Sequence, residues 1–149
     1  MSRAQRDLMR NVIEQKALSW SVAWAEVEEI DRLNILHASI LAMHRAIARL
    51  FIRPEHLIVD GNRFSPYPGI MHTCLVKGDS RFASIAAASV LAKTHRDAYM
   101  EQKAIAFPQY GWNKNMGYPT PKHRLAIAEW GPSLLHRKSF KLLPDPLLL

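Results

Sequence analysis

The sequence predicts an α/β domain. Three observations point there: two short apolar runs that each end at an aspartate, stretches with helical apolar period on either side of them, and a loop rich in proline and glycine between them. The first run is His56-Leu57-Ile58-Val59-Asp60-Gly61-Asn62 and the second is Leu75-Val76-Lys77-Gly78-Asp79-Ser80. As buried strands of one sheet, they would place two carboxylates side by side at its edge. There a divalent cation can bridge them and assist phosphoryl transfer.

The elements follow in order. Ser2 can cap a helix running to about residue 17, with Leu8, Val12 and Ile13 as its apolar stripe. Residues 19–24 alternate, with Trp20, Val22 and Trp24 on one face, and predict a half-buried strand. Leu36, Ile40, Met43, Ile47 and Leu50 recur in steps of four and three, so a core-facing helix is predicted over about 33–51, ended before Pro54. Pro66, Pro68 and Gly69 mark the loop between the aspartate-ending runs. Residues 80–106 read as a long helix whose Ala86-Ala87-Ala88-Ser89 run lets it lie close against a sheet. Beyond Phe107 the pattern breaks at Pro108, Gly111, Gly117 and Pro119, and Tyr110, Trp112 and Tyr118 make this stretch a candidate binding loop. A last helix over 120–130 precedes a basic segment.

With 149 residues and 48% hydrophobic content, the chain can bury one core, predicting one domain over residues 1–141 and a short apolar tail, 142–149. The apolar-leaning run 85–92 is far too short to span a bilayer, and no apolar stretch follows the charged N-terminus. A soluble cytoplasmic protein without a membrane partner is the expectation. Cys74 is the only cysteine, which excludes an intramolecular disulfide and reads as a small buried side chain in a reducing compartment. Lys/Arg and Asp/Glu balance through residue 60, so the whole net charge of +7 lies beyond it. Lys122, His123, Arg124, His136, Arg137, Lys138 and Lys141 concentrate that charge near the C-terminus. A basic face of this kind is the footprint of a polyanion partner, although basic surfaces also serve solubility alone.

Each candidate has a plainer reading. Asp60 before Gly61 is also a turn signal, and Asp79 before Ser80 is also a helix N-cap. Asn62 can donate to a nucleic acid or simply form a turn, and Asp97 beside Arg96 reads as a structural ion pair. The seven histidines show no metal-ligand spacing, which leaves His123 and His136 as phosphate-side or structural groups rather than zinc ligands.

Motifs along the chain carry a resemblance beyond spacing. Asp60-Gly61-Asn62, Lys77-Gly78-Asp79-Ser80, Ile85-Ala86-Ala87-Ala88-Ser89-Val90-Leu91-Ala92-Lys93, Phe107-Pro108-Gln109-Tyr110-Gly111, Gly117-Tyr118-Pro119-Thr120 and His136-Arg137-Lys138-Ser139-Phe140 occur in the order found in bacterial ribonuclease HII. The chain resembles that family over about residues 2–141. The resemblance implies a ribonuclease H-like mixed sheet flanked by helices, with a helical C-terminal part. It also implies an endonuclease dependent on Mn²⁺ or Mg²⁺, cutting the RNA strand of RNA–DNA hybrids and single ribonucleotides in duplex DNA to leave 5′-phosphate and 3′-hydroxyl ends.

Of the family's four catalytic acids, Asp60 and Asp79 match two and are the implied metal ligands. The other two, an Asp-Glu pair on the first strand, have no counterpart in these residues, nor does the Gly-Arg-Gly element that senses the 2′-hydroxyl. Relative to the family the chain is therefore expected to be N-terminally truncated, to lack the first strands, and to be weak or inactive by itself. The alternative is a non-catalytic remnant that binds RNA–DNA hybrid. Tyr118 matches a family tyrosine that packs on the ribose, and Asn62, Lys77, His123, Arg137, Lys138 and Ser139 are the expected nucleic-acid side. Met116 stands where the family often has lysine, with Lys114 as the nearby substitute. A sliding-clamp partner is left open.

Overall fold

The computed structural model describes residues 1–143, so residues 144–149 of the expected tail lie outside the described residues. The chain divides into two compact units. One holds Met1–Ala25 and Ser39–His95; the other holds Glu26–Ala38 and, among the described residues, 96–143. Helices α2 (Val27–Ala48) and α3 (Ala83–Ala106) each contribute to both.

In the first unit, α1 (Arg3–Lys16) starts where expected, because Ser2 and Gln5 form a reciprocal capping box. The Gln5 amide donates to the Ser2 hydroxyl, and the Ser2 amide donates to the Gln5 side chain. Ser2→Ala is expected to cost about 1 kcal/mol of stability, read as a lowered thermal midpoint. The stripe of α1 is not core, however: no residue of the helix is buried and Leu8 is 67% exposed. Polar contacts anchor its C-terminal half instead. The Glu14 carboxylate accepts from Arg10 at 2.7 Å and pairs with His95 at 2.9 Å. Burial raises the Glu14 pKa, but these two partners outweigh it and leave the group below its ordinary value.

Residues 19–24 form no strand, contrary to the alternation. The Trp20 indole donates to the Glu14 carbonyl on α1, and the other hydrogen bonds described for this segment go to the end of α2 and the residues just after it rather than to a ladder. Arg45 donates to the Trp24 carbonyl, Arg49 to the Val22 carbonyl and the Ser21 hydroxyl to the Ala46 carbonyl, while the Ser19 hydroxyl accepts from the Phe51 amide. A two-residue period sets which side chains share a face; it does not supply a partner strand.

Strands β1 (His56–Asp60) and β2 (Met71–Leu75) pair in parallel, with Asp60 opposite Leu75. They are the sheet of an α/β fold among the described residues. The second strand lies earlier than the sequence reading placed it. It stops at Leu75, and Asp79 falls on the following 3-10 turn, Gly78–Ser80. The loop marked by Pro66, Pro68 and Gly69 is held by the His44 ring, which packs against Phe64 and Tyr67 while Nε2 lies 2.9 Å from the Ser65 carbonyl.

In the second unit, α2 begins earlier than expected and breaks at Asn34, whose backbone is left-handed (φ 68°). The Asn34 side-chain oxygen accepts from the Leu36 and His37 amides, so it caps a fresh helical stretch. The apolar period starting near Leu33 detected that second stretch and missed the first. Of its five positions, Ile40 is buried and Met43 is exposed.

The core of this unit gathers Ala104, Tyr110, Trp112, Ala126 and Ile127, with Met100, Phe107, Leu135 and Leu142 packed around them. Tyr110 and Trp112, expected in a binding loop, are therefore core residues. Their rings stack with centroids 5.1 Å apart, and the Tyr110 hydroxyl donates to the Gly131 carbonyl. Helices α4 (Trp112–Asn115) and α5 (Pro121–Trp130) complete the unit, α5 being capped by Thr120 with Pro121 in its first turn. No helix among the described residues is long and apolar enough to cross a membrane.

Candidate functional site

The first unit holds its candidate residues at the C-terminal end of the two strands. One hydrogen bond decides its shape: the Gly78 amide donates to Asp60 Oδ1 at 2.9 Å. It ties the last residue of β1 to the turn that carries Asp79, so the two exposed aspartates project from joined pieces of backbone. The Gly61 amide donates to the Leu75 carbonyl, extending the ladder one residue beyond Asp60.

Gly78 is buried, and here the need for glycine is space. A Cβ at that position would stand 2.6 Å from Ile85 Cδ1 and 3.3 Å from Leu75 Cβ. The turn is closed by the Ser80 hydroxyl donating to the Lys77 carbonyl and by the Phe82 amide donating to the Gly78 carbonyl. Helix α3 begins at Ala83, so Asp79 does not occupy its cap, and its carboxylate stays exposed. Lys77 and Asn62 are exposed on the two connections that flank these acids.

Two carboxylates have the right chemistry for a hard divalent cation, which prefers oxygen donors. The number of donors falls short. Among the described residues no group of three His, Cys, Asp or Glu side chains is placed to hold a metal. Cys74, on β2, is a free, half-buried thiol.

The second unit carries the other expected residues. Tyr118 is 52% exposed, and successive left-handed residues, Met116 (φ 50°) and Gly117 (φ 77°), turn the chain immediately before it. Its backbone is fixed on both sides: its amide donates to the Asn115 carbonyl, and its carbonyl accepts from the Thr120 amide. Arg96 lies over its ring, 5.0 Å from the centroid, in cation–π contact. Sequence reasoning gave Arg96 only an ion pair with its neighbour Asp97, although a guanidinium on α3 is a natural support for an exposed aromatic. Arg96 Nη1 is buried without a hydrogen-bond partner. Met116 is buried, and Lys114 stands exposed on α4.

The basic segment is clasped by an acid that the sequence left without a role. Asp31 accepts from the Lys138 amide, the Ser139 amide and the Ser139 hydroxyl, at 2.6–3.0 Å. These bonds, from Ser139 first and then Lys138, hold the Asp31 pKa below its ordinary value. The Ser139 hydroxyl is thus engaged within the protein, whereas the Lys138 side chain is exposed. Arg137 lies over Phe140 at 4.9 Å. Burial and the Arg96 charge pull its pKa down, against the opposing pull of Asp31.

His123 is buried, and both of its ring nitrogens meet partners inside the protein, as do those of His136. Asp97 is buried on α3.

The chain is similar to known proteins in sequence and in fold. The family model for ribonuclease HII matches residues 2–143. A ribonuclease HII of Parabacteroides distasonis is 56% identical over 149 residues, covering 100% of this chain and 75% of the relative. That of Bacteroides thetaiotaomicron is 56% identical over 145 residues, 97% of this chain and 72% of the relative. Among solved structures, the ribonuclease H2 of Pyrococcus horikoshii superposes with a TM-score of 0.79 at 19% identity, covering 95% of this chain and 74% of that one. The ribonuclease HII of Archaeoglobus fulgidus, solved in complex with PCNA, gives 0.73 at 20% identity, covering 99% and 78%. The two structural likenesses carry the fold alone; the family follows from sequence. With a match spanning nearly every described residue and bacterial relatives identical at more than half of the aligned positions, the chain belongs to the ribonuclease HII family.

Proposed function

We propose that these residues carry two of the metal-holding carboxylates and the duplex-gripping part of an endonuclease that cleaves the RNA strand of RNA–DNA hybrids and single ribonucleotides in duplex DNA. The observation that carries this reading is the bond from the Gly78 amide to Asp60, which ties the acid at the end of β1 to the turn that carries Asp79. Asp60 and Asp79 would hold Mn²⁺ or Mg²⁺ together with the family's first-strand Asp-Glu pair. When bound, the cation neutralises charge that builds up at the phosphodiester. The remaining work falls to this chain's own groups. Tyr118 stacks on the ribose, Arg137 and Lys138 engage backbone phosphates, and Asn62 and Lys77 approach the strand beside the acids. Water attacks in line on the 5′ side of the ribonucleotide, leaving a 3′-hydroxyl and a 5′-phosphate. The archaeal relative's assembly with PCNA makes a sliding clamp the partner class to test.

A second reading has its own support. Two carboxylates with no third donor beside them among the described residues favour a polypeptide that binds hybrid and does not turn it over. A DNA duplex carrying one labelled ribonucleotide separates the two. We expect no cleavage by the 149-residue polypeptide alone with Mn²⁺ or Mg²⁺, and cleavage once the family's first-strand segment is supplied. Failure to cleave in both arms, with hybrid binding retained in EDTA, would establish the binding-only reading. That binding is expected to weaken steeply with salt, the log–log slope falling by about 0.9 per phosphate neutralised.

A further inference from the structure

We propose that His123 and His136 form an uncharged, proton-ordered relay that positions Tyr118, so that both are positioning residues of the ribose-contacting loop. The proposal rests on the reading of Tyr118 given above for its function, and on hydrogen-bond geometry for its structure.

The proton order follows from donors that have no alternative. The Trp112 indole can only donate, and its acceptor is His123 Nε2 at 3.1 Å, so that nitrogen carries no proton. In the neutral ring the proton then sits on Nδ1. That nitrogen faces the Tyr118 carbonyl at 3.0 Å, which can only accept.

The same logic fixes the second ring. The Ser133 amide donates to His136 Nδ1 at 2.9 Å. The Ser133 hydroxyl accepts from the Leu135 amide, and it too can donate to that nitrogen. The His136 proton is therefore on Nε2, 3.2 Å from His123 Nε2. The chain of donors runs from Ser133 through His136 and His123 to the backbone of Tyr118, and the two rings hold opposite tautomers.

This arrangement leaves no place for a second proton on either ring, the one lone pair of His123 Nε2 being shared between the indole N–H and the His136 N–H. A second proton on His123 would set its Nε2–H against the indole N–H and the His136 N–H. A second proton on His136 would set Nδ1–H against the Ser133 amide. His123 is 4% exposed and His136 7%, so water cannot relieve either clash. Three elements pack titratable groups on the pair: His123 comes from α5, His136 from the segment after it, and Tyr110 from the 3-10 turn Pro108–Tyr110, with ring centroids 4.8 Å from His136 and 6.2 Å from His123. Trp112 from α4 adds no charge. Burial, and then the neighbouring His123, depress the His136 pKa, with the Ser133 amide opposing.

Local sequence places the relay. His123 is the third residue of α5, and its amide donates to the Thr120 hydroxyl, so the helix cap sets the ring beneath the Tyr118 carbonyl.

The experiment uses the 149-residue polypeptide with ¹⁵N-labelled histidine, followed by NMR from pH 8 down. Two buried rings with opposite tautomers are expected, the Nδ1-protonated ring at His123 and the Nε2-protonated ring at His136, with His136 still neutral below the ordinary histidine value. Two rings of the same tautomer, or a His136 that titrates normally, would overturn the relay. Variants then test positioning through hybrid binding in EDTA. Asparagine can reproduce the Nδ1 donor and glutamine cannot. His123→Gln is therefore expected to reduce the preference for a ribonucleotide-containing duplex over plain DNA about tenfold, the order of one lost hydrogen bond. His123→Asn should restore it, which a purely structural role would not produce; equal loss in both variants counts against positioning. Tyr118→Ala is the control. If it leaves the preference unchanged, the functional reading of Tyr118 fails while the tautomer result stands or falls by itself.

Discussion

Trp112→Ala is expected to destabilise the second unit by about 3–5 kcal/mol, the usual cost of removing a large aromatic from a core. Trp112 is 2% exposed and is the largest fully buried side chain among the described residues. Its ring stacks on Tyr110, meets Phe107 at 5.6 Å, and stands edge-on to His123 at 6.4 Å. Truncation therefore opens a cavity lined by rigid rings, which collapse poorly. It also removes the donor to His123 Nε2 and leaves His136 as that nitrogen's remaining partner. Trp112→Phe separates the two effects. It keeps most of the ring and loses the N–H, and so should cost about 1 kcal/mol for the bond in addition to a small packing loss. Urea unfolding followed by far-ultraviolet circular dichroism reads both. A Trp112→Ala penalty below that of Trp112→Phe would mean that the unit is not organised around this ring.

The strength of that expectation contrasts with how the residue reads in sequence. Trp112 lies between Gly111 and Asn113 in a stretch punctuated by glycine and proline, and such a stretch looks like a loop with aromatics on display. Burial there is tertiary: the Tyr110–Trp112 stretch, His123 and His136 come from three separate segments and meet only after folding. Local signals were read correctly where the cause is local. The Ser2 cap of α1, the last helix near residues 120–130 and the start of β1 at His56 each depend on neighbours within a few residues. Residues 19–24 failed for the opposite reason, since their backbone partners lie more than twenty residues away on α2. Asp60 was legible as a strand-end acid, whereas Asp79 lies on the turn beyond β2. Their coupling through the Gly78 amide was not legible, because it needs the register of a parallel pair that periodicity cannot supply. Asp31 was invisible for the same reason, its partners being 107 and 108 residues away.

Asp60→Asn and Asp79→Asn, each made in the polypeptide supplied with the family's first-strand segment, are expected to lower divalent-dependent cleavage by more than about 100-fold. That figure is the upper end of what supporting residues around a metal ligand contribute, and a ligand itself should exceed it. The substitutions are chosen for what they leave alone. An asparagine at position 60 keeps an oxygen that can accept from the Gly78 amide, so the tie between β1 and the turn survives while the charge is lost. Asp60→Ala removes both and should lower the thermal midpoint as well as the activity. Metal-free binding supplies the decisive comparison. Taking negative charge away from a face that meets a polyanion cannot weaken the electrostatic part of its affinity, so both asparagine variants should bind hybrid in EDTA at least as tightly as the parent. Lost turnover with undiminished binding and an unchanged midpoint for Asp60→Asn would isolate metal holding as the role of these acids. Retained cleavage in the double variant would end it, and would place the metal on groups other than Asp60 and Asp79.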